Sequence, residues 1–261
     1  MASTTLQEVA RGVWVATHEP YSTTTTVVMG TDGQCLVVDP AVSAADLATL
    51  AAELGSRGLE VACGFSTHPH WDHVLWCRAL GTAPRYATAR AVHIAETERD
   101  GMVAGVEAAA PGHDLALFGQ LTPLPPGAQA IPWPGPTVHV LAHNAHAAGA
   151  AALWLPGVRV LVAGDLLSDI EVPLLDTEEP DPVGDYRRAL ERFAALVEVA
   201  VVVPGHGQVA DSQVFRHRLE QDRGYLDDLE QGRASQDARL TLPWLQRAHE
   251  AQWAYCRDHR R

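Results

Sequence analysis

The chain contains no lysine: all 19 of its cationic side chains are arginine, against 32 aspartates and glutamates, for a formal net charge of −13. Without an ε-amine there is no Schiff-base, P-loop lysine or Ser-Lys chemistry. The acidic balance also argues against a nucleic-acid partner, which needs a basic face for its phosphates. Long hydrophobic runs are missing as well. The best candidate, residues 147–158, carries Pro156 and stops at Arg159, well short of the roughly 18 apolar residues of a membrane helix, so no membrane partner is expected. Residues 1–11 have Glu8 inside the would-be apolar stretch and no basic start; they do not read as a secretory signal, and the expected compartment is the cytoplasm. Cysteine is sparse: Cys35, Cys63, Cys77 and Cys256 form no Cys-x-x-Cys pair, which excludes a zinc knot of that kind and leaves reduced thiols packed as small hydrophobes. There is no Gly-x-Ser-x-Gly elbow for a serine nucleophile.

What is present suits a folded globular chain. Its 261 residues are 47% hydrophobic and 20% charged, enough to bury a core in one domain with or without an appendage. β-rich runs at 13–17, 24–29 and 35–39, the last two separated by a Gly30-Thr-Asp-Gly33 turn, predict an antiparallel meander. Ser43 caps an expected helix to about Gly55, and 61–65 is a short strand ending at Ser66-Thr67. Helices are expected at 74–80 and 87–98, and a Gly- and Pro-rich stretch from 101 to 136 reads as long loops or a lid. Trp133, Phe118 and Leu121 in or beside it are candidates for apolar pocket contacts or for ordinary core. Strands follow at 137–142, 151–155, 158–163 and 199–203, a helix at 186–196, and helices from Asp211 to the C-terminus. Arg216, Arg218, Arg223, Arg233 and Arg239 read there as a solvated face with i,i+4 pairs. The order predicts an α/β sandwich with a helical C-terminal extension.

The strongest signal is Thr67-His68-Pro69-His70-Trp71-Asp72-His73, directly after an expected strand. Four metal-competent side chains in six residues exceed what one tetrahedral ion with an open position uses, so two ions are implied; imidazole and carboxylate suit Zn²⁺, Fe²⁺ or Mn²⁺. Further donors stand at later strand ends: His146 in His143-Asn-Ala-His146-Ala-Ala-Gly149, Asp165 after Gly164, and His206 between Gly205 and Gly207.

His-x-His-x-Asp-His, then His-x-x-Gly, Gly-Asp and Gly-His-Gly in that order resembles the metallo-β-lactamase-fold hydrolase superfamily, including its glyoxalase II-like and lactonase-like members, over about residues 12–210. The resemblance implies a four-layer αββα sandwich, with residues 1–210 as the catalytic part and 211–261 as a helical extension of the same domain. It further implies that His68, His70 and His146 hold a first metal, that Asp72, His73 and His206 hold a second, and that Asp165 bridges them. Zn²⁺ is the expected ion. Asp39 matches a position that supports the metal loop through hydrogen bonds; it reads equally as a strand-end turn carboxylate. The usual hydroxyls flanking the third histidine are replaced by Ala147 and Ala150, which makes His143 a competitor. Gly149 keeps the spacing for His146 and leaves His143 as a supporting or pocket residue. Gly164 and Gly205 read as room for close backbone approach. His18, His93, His113, His139, His217, His249 and His259 read as structural or surface.

The implied chemistry is hydrolysis by a metal-bridging hydroxide, with Asp72 as the catalytic carboxylate that orients it and moves a proton. The lack of a signal peptide argues against a β-lactam-hydrolysing enzyme, and the net charge against a nuclease. The histidine of the motif and the missing flavin domain argue against a flavo-diiron reductase. A small-molecule ester, thioester or lactone remains as the expected substrate. A mononuclear-iron persulfide dioxygenase and a non-catalytic binding sandwich are the alternatives. In such hydrolases the C-terminal region lines the substrate entrance or a dimer contact, so a homodimer is an expectation, and Tyr225 and Trp244 are left unassigned between the two.

Overall fold

Val27, Cys35 and Val37 leave their strands toward one layer of the protein, and Val28, Leu36 and Val38 toward another, and all six are buried. Alternation with period two buries both faces only if the sheet is covered on both sides. The computed structural model describes residues 5–259. Residues 1–4, at the head of the stretch read for a secretory signal, and 260–261, the tip of the expected extension, lie outside the described residues.

The first sheet is built from β1 (Gln7–Ala10), β2 (Val13–His18), β3 (Thr23–Met29), β4 (Gln34–Val38), β5 (Glu60–Phe65), β6 (Arg85–Ala87) and β7 (Thr122–Pro123), lying in that order. Pairing is antiparallel as far as β4 and parallel from β4 to β7. In the second sheet the order is β12 (Ala210–Asp211), β11 (Val201–Pro204), β10 (Val160–Gly164), β9 (Ala151–Leu155) and β8 (His139–Ala142). There only β10 and β11 run parallel. Val13, Val15, Val28, Leu36, Val38 and Phe65 of the first sheet meet Leu153, Leu155, Val160, Val162 and Val203 of the second in one buried layer.

Helices cover the outer faces. On the first sheet, α1 (Ala44–Ser56) starts at Ser43, whose hydroxyl accepts the Asp46 N–H, and buries Leu47, Leu50 and Leu54 against Val27 and Val37. α2 (Ala89–Thr97) packs with Leu121 beside the β6 end. On the second sheet, α4 (Pro182–Ala194), α5 (Ser212–Gln231) and α6 (Pro243–Asp258) bury Tyr186, Leu190, Phe193, Leu219, Leu226, Leu229 and Leu245 against Trp154, Leu161 and Val202. The result is the expected four-layer αββα sandwich. Cys35, Cys63 and Cys256 are buried, and burial pushes the Cys35 and Cys63 thiols up to about 12. No helix of the described residues is long and apolar enough to cross a membrane.

Three local expectations change. Within the helix expected at 74–80 only a 3₁₀ turn forms, Arg78–Leu80. Val74, Leu75 and Trp76 are all buried, which the single apolar stripe of a surface helix does not achieve. The Val74 carbonyl accepts Gly119 N–H and Trp76 Nε1–H donates to the Gly81 carbonyl. The 101–136 stretch is not all loop: α3 (Arg99–Ala109) opens it, because Met102, Val103 and Val106 pack on the first sheet's outer cluster and outweigh the low helix propensity of Gly101 and Gly105. Finally, Arg218 and Arg239 are buried rather than solvated. Arg218 donates to the carbonyls of Leu167 and Gln208 and sits 3.2 Å from Asp169. Arg239 grips Asp237 through two nitrogens, pairs with buried Asp222 at 2.7 Å and donates to the Ser168 carbonyl. Arg216 and Arg233 are exposed or nearly so, as expected.

Arg239→Ala removes the cation paired with the buried Asp222 carboxylate, which costs about 3–5 kcal/mol, whereas Arg78→Ala at an exposed pair changes stability far less. Denaturant midpoints at an unchanged slope measure both; equal losses would show that Asp222 is accommodated without its arginine.

Candidate metal centre

The site stands where strands of both sheets end at one edge of the sandwich. β4 delivers Asp39, β5 delivers the loop from Ser66 to His73, β10 delivers Asp165, β11 delivers His206, and the β8–β9 connection carries His143 and His146. Main-chain bonds hold these ends together: Ala151 N–H to the Thr67 carbonyl at 2.8 Å, Thr24 N–H to Gly205 at 2.8 Å and Gly205 N–H to Gly164 at 2.6 Å. Within the buried Thr23–Thr26 run, two hydroxyls serve this seam. The Thr24 hydroxyl donates to the Pro204 carbonyl, and the Thr25 hydroxyl to that of Asp39.

Asp39 has φ +47°, a left-handed conformation that aspartate tolerates better than most residues. Its carboxylate accepts both the N–H (2.8 Å) and the hydroxyl (2.6 Å) of Thr67 and lies 3.0 Å from His73 Nδ1. With the Thr67 proton committed to Asp39, the Thr67 oxygen accepts from His68 Nδ1 at 3.0 Å. His146 Nδ1–H donates to the Leu174 carbonyl at 3.2 Å, and His206 Nδ1–H to the Tyr21 carbonyl at 2.9 Å. Each partner places the imidazole proton on Nδ1 and turns the Nε2 lone pair inward.

The donors collect in two groups, His68, His70, His146 and Asp165 in one and Asp72, His73 and His206 in the other, the ligand atoms within each lying no more than 4.8 Å apart. Asp165 touches both. Its Oδ2 is 3.4 Å from His68 Nε2, 3.3 Å from His146 Nε2 and 3.5 Å from His206 Nε2, and its Oδ1 is 3.3 Å from His73 Nε2. Asp72 Oδ2 is 3.2 Å from His206 Nε2. A Cβ at Gly205 would stand 1.9 Å from Asp165 Oδ1, so this close approach requires glycine.

Lone pairs face lone pairs here. Among the described residues, His68 Nε2 and Asp165 Oδ1 are fully buried with no hydrogen-bond partner, a costly arrangement unless a cation fills the gap. Neutral imidazoles and carboxylates in this geometry fit divalent metal ions. In the metal-free chain protons take part of that role. Burial, then His73, holds His68 well below its ordinary value, and burial, then His146, takes His70 down to about 4. For His73 burial opposes the charged form as well, but Asp165, Asp72 and Asp39 prevail and raise it well above the usual imidazole range. His206, also opposed by burial, is lifted by Asp165 and Asp72 to about 10.

His143 belongs to neither group. Its Nδ1 accepts Ala145 N–H, its ring packs edge-on to Phe193, and burial takes it down to about 3. Trp133 stands by the Gly30–Gly33 turn, at the end of β3 and β4 opposite the site, and Phe118 is core. Tyr225 is buried in the helical layer and Trp244 is exposed on α6. Sequence reasoning missed Glu171, a largely buried carboxylate with Oε1 3.9 Å from His206 Nδ1, whose acidity burial weakens. It also missed Tyr21, whose ring meets Trp71 edge-on at 5.9 Å, and Leu174. No local motif marks these three; only the Thr67 support stood beside a motif residue.

The model of the metallo-beta-lactamase superfamily matches residues 19–206. No curated protein is similar enough in sequence to match. A beta-lactamase domain protein from Burkholderia ambifaria superposes with a TM-score of 0.67 at 22% identity, covering 88% of this chain and 79% of its own. The metallo-beta-lactamase family protein TTHA1429 from Thermus thermophilus gives 0.63 at 24% identity, with 85% and 82% covered. A metallo-beta-lactamase from Pontibacter korlensis gives 0.64 at 17%, with 83% and 97% covered. At these identities the structures establish the fold, and the match across residues 19–206 the family: the chain belongs to the metallo-beta-lactamase superfamily, most of whose members are metal-dependent hydrolases.

Proposed function

We propose that the protein is a dinuclear metal-dependent hydrolase of a small-molecule acyl substrate, an ester, thioester or lactone. The observation that carries the reading is the pair of complete donor groups sharing one carboxylate. His68, His70 and His146 would hold one ion, Asp72, His73 and His206 the other, and Asp165, which reaches donors of both groups, both. Zinc suits this donor set best. Divalent ions there would supply Lewis acidity and lower the pKa of a coordinated water toward about 7. The second group is complete in itself, which favours two ions over the single iron of a dioxygenase.

The chain's own residues do the rest. Asp72 Oδ2 is the atom that would orient the attacking water: burial opposes its ionisation, but His73 and the His206 hydrogen bond hold it well below the usual carboxylate range, so it stays an ionised hydrogen-bond acceptor. Asp39 and Thr67 hold the histidine loop so that His68 and His73 do not swing away when the substrate arrives. Tyr21 and Trp71 offer an aromatic wall beside His206 for the apolar part of a substrate. The net charge of −13 supports a small molecule over a nucleic acid.

Protein purified without chelator should contain near two zinc ions per chain and hydrolyse members of an ester, thioester and lactone panel. Near one iron with oxygen consumption would replace this reading by the dioxygenase, and metal-replete protein inert toward the whole panel would overturn the acyl assignment. Asp165→Ala and His70→Ala should each lose metal and lower kcat by about 100-fold or more; full activity in either would remove that residue from the centre.

Metal uptake should depend on pH in a direction set by the imidazoles. His73 and His206, raised above the usual range, carry protons at neutral pH in the metal-free chain, and each must lose its proton before its lone pair can bind. In the first group only His146 is raised. Calorimetry in buffers of different ionisation enthalpy should therefore show about two protons released with the ion of the second group and fewer with that of the first. Affinity should rise with pH, more steeply for the second ion; a pH-independent second affinity would contradict the assignment of His73 and His206.

A further inference from the structure

The segment from Glu171 to Asp176 forms no helix or strand, yet it supplies the carbonyl that orients His146. Its backbone is held by one side chain from the far end of the sequence. Gln252, on α6 and 4% exposed, donates from Nε2 to the Pro173 carbonyl at 3.1 Å, and its Oε1 accepts the Leu175 N–H. These bonds grip the peptide groups on both sides of Leu174. The second Nε2 proton goes to the Tyr225 oxygen at 2.8 Å, and Tyr225 in turn donates to His249 Nδ1 at 3.0 Å. The amide cannot be turned over: reversed, it would set N–H against the Leu175 N–H and oxygen against the Pro173 carbonyl.

We infer that Gln252 is a positioning residue for the metal centre, fixing the Leu174 carbonyl and through it the tautomer and ring orientation of His146. The inference rests on the reading of His146 as a ligand. The physical link is short. While the Leu174 carbonyl accepts from Nδ1, the proton stays on Nδ1 and the lone pair on Nε2 faces Asp165 at 3.3 Å. If the 173–175 backbone moves, that acceptor is lost, and the proton redistributes to Nε2, the atom that must bind. The loop carrying His146 leans on the same segment, since Ala148 N–H donates to Asp176 Oδ2 at 3.0 Å. α6 thus reaches the centre without any of its residues being a ligand.

The test uses Gln252→Met, which keeps the length and removes both hydrogen-bonding functions, and Leu245→Ala, which weakens the same helix at a buried apolar position away from the clamp. Three readouts are taken: the ¹⁵N imidazole shifts of His146 in metal-free protein at a pH where its ring is neutral, the affinity for zinc by chelator competition, and the visible spectrum of the cobalt(II) form. Gln252→Met should shift His146 from the Nδ1–H tautomer to a mixture, weaken one of the two ions by about 10-fold and alter the cobalt spectrum. Leu245→Ala should lower the thermal midpoint with all three readouts unchanged. If Gln252→Met does not fold, Tyr225→Phe, which deletes only the oxygen that fixes the amide, should move the same readouts in the same direction. Wild-type tautomer, affinity and spectrum in the folded variant would overturn the inference, as would the same changes in Leu245→Ala. His146→Ala separates the two levels: unchanged metal content there refutes the ligand reading, while the tautomer in metal-free protein still decides the clamp.

Discussion

A single buried carboxylate, Asp165, organises this protein. Four imidazole nitrogens stand between 3.3 and 3.5 Å from its two oxygens, and a neutral ring protonated on Nδ1 has no Nε2 proton to give them. Such a cluster has no hydrophobic reason to form, and burying it without cations costs several kcal/mol. It persists in the fold because every participant is tethered from behind. Asp39 and Thr67 hold His68, the Leu174 carbonyl holds His146, and the Tyr21 carbonyl holds His206. The Nε2 atoms converge because the Nδ1 atoms are engaged elsewhere.

The sandwich provides those tethers from independent layers. Asp39 and Thr67 come from the first sheet, His206 and Asp165 from the second, and the seam between them is made of main-chain bonds and the hydroxyls of Thr24 and Thr25. Hydroxyls on this stretch of β3 satisfy carbonyls at strand ends, where the regular ladders stop. Valines there would leave the Pro204 and Asp39 carbonyls short of a donor. The helical layer adds its own anchors: Arg218 and Arg239 fix the loop that follows Asp165 at Leu167 and Ser168, and the Ser168 hydroxyl donates to the His206 carbonyl.

What the sequence made legible follows from how local each signal is. The histidine loop, Asp165 and His206 stand at ends of short apolar strands, so residue type and strand boundary coincide and both can be read from a window of a few residues. The αββα layering was reached through that motif set and agrees with the period-two burial of Val27, Val28, Cys35 and Leu36. α3 was hidden because two glycines masked an amphipathic pattern that only the surface of the first sheet completes. Arg218 and Arg239 looked like solvated arginines because their partners, backbone carbonyls of residues 167, 168 and 208 and the carboxylates of Asp222 and Asp169, come together only in three dimensions. Glu171 and Leu174 carry no motif for the same reason.

The missing lysines acquire a structural meaning at this centre. A flexible ammonium near Asp72 or Asp165 would neutralise the cluster and compete with any metal ion for the same oxygens. Among the described residues no arginine pairs with either carboxylate. The two buried arginines that brace the loop after Asp165, Arg218 and Arg239, have their rigid forks engaged by backbone carbonyls and by Asp169, Asp222 and Asp237. A guanidinium engaged in this way is a fixed structural part, whereas an ammonium on a four-carbon stem is a mobile point charge. Positive charge is therefore kept close enough to hold that loop and is denied access to the Asp165 carboxylate, so the centre's demand for a cation is left to its own imidazole protons or to a metal.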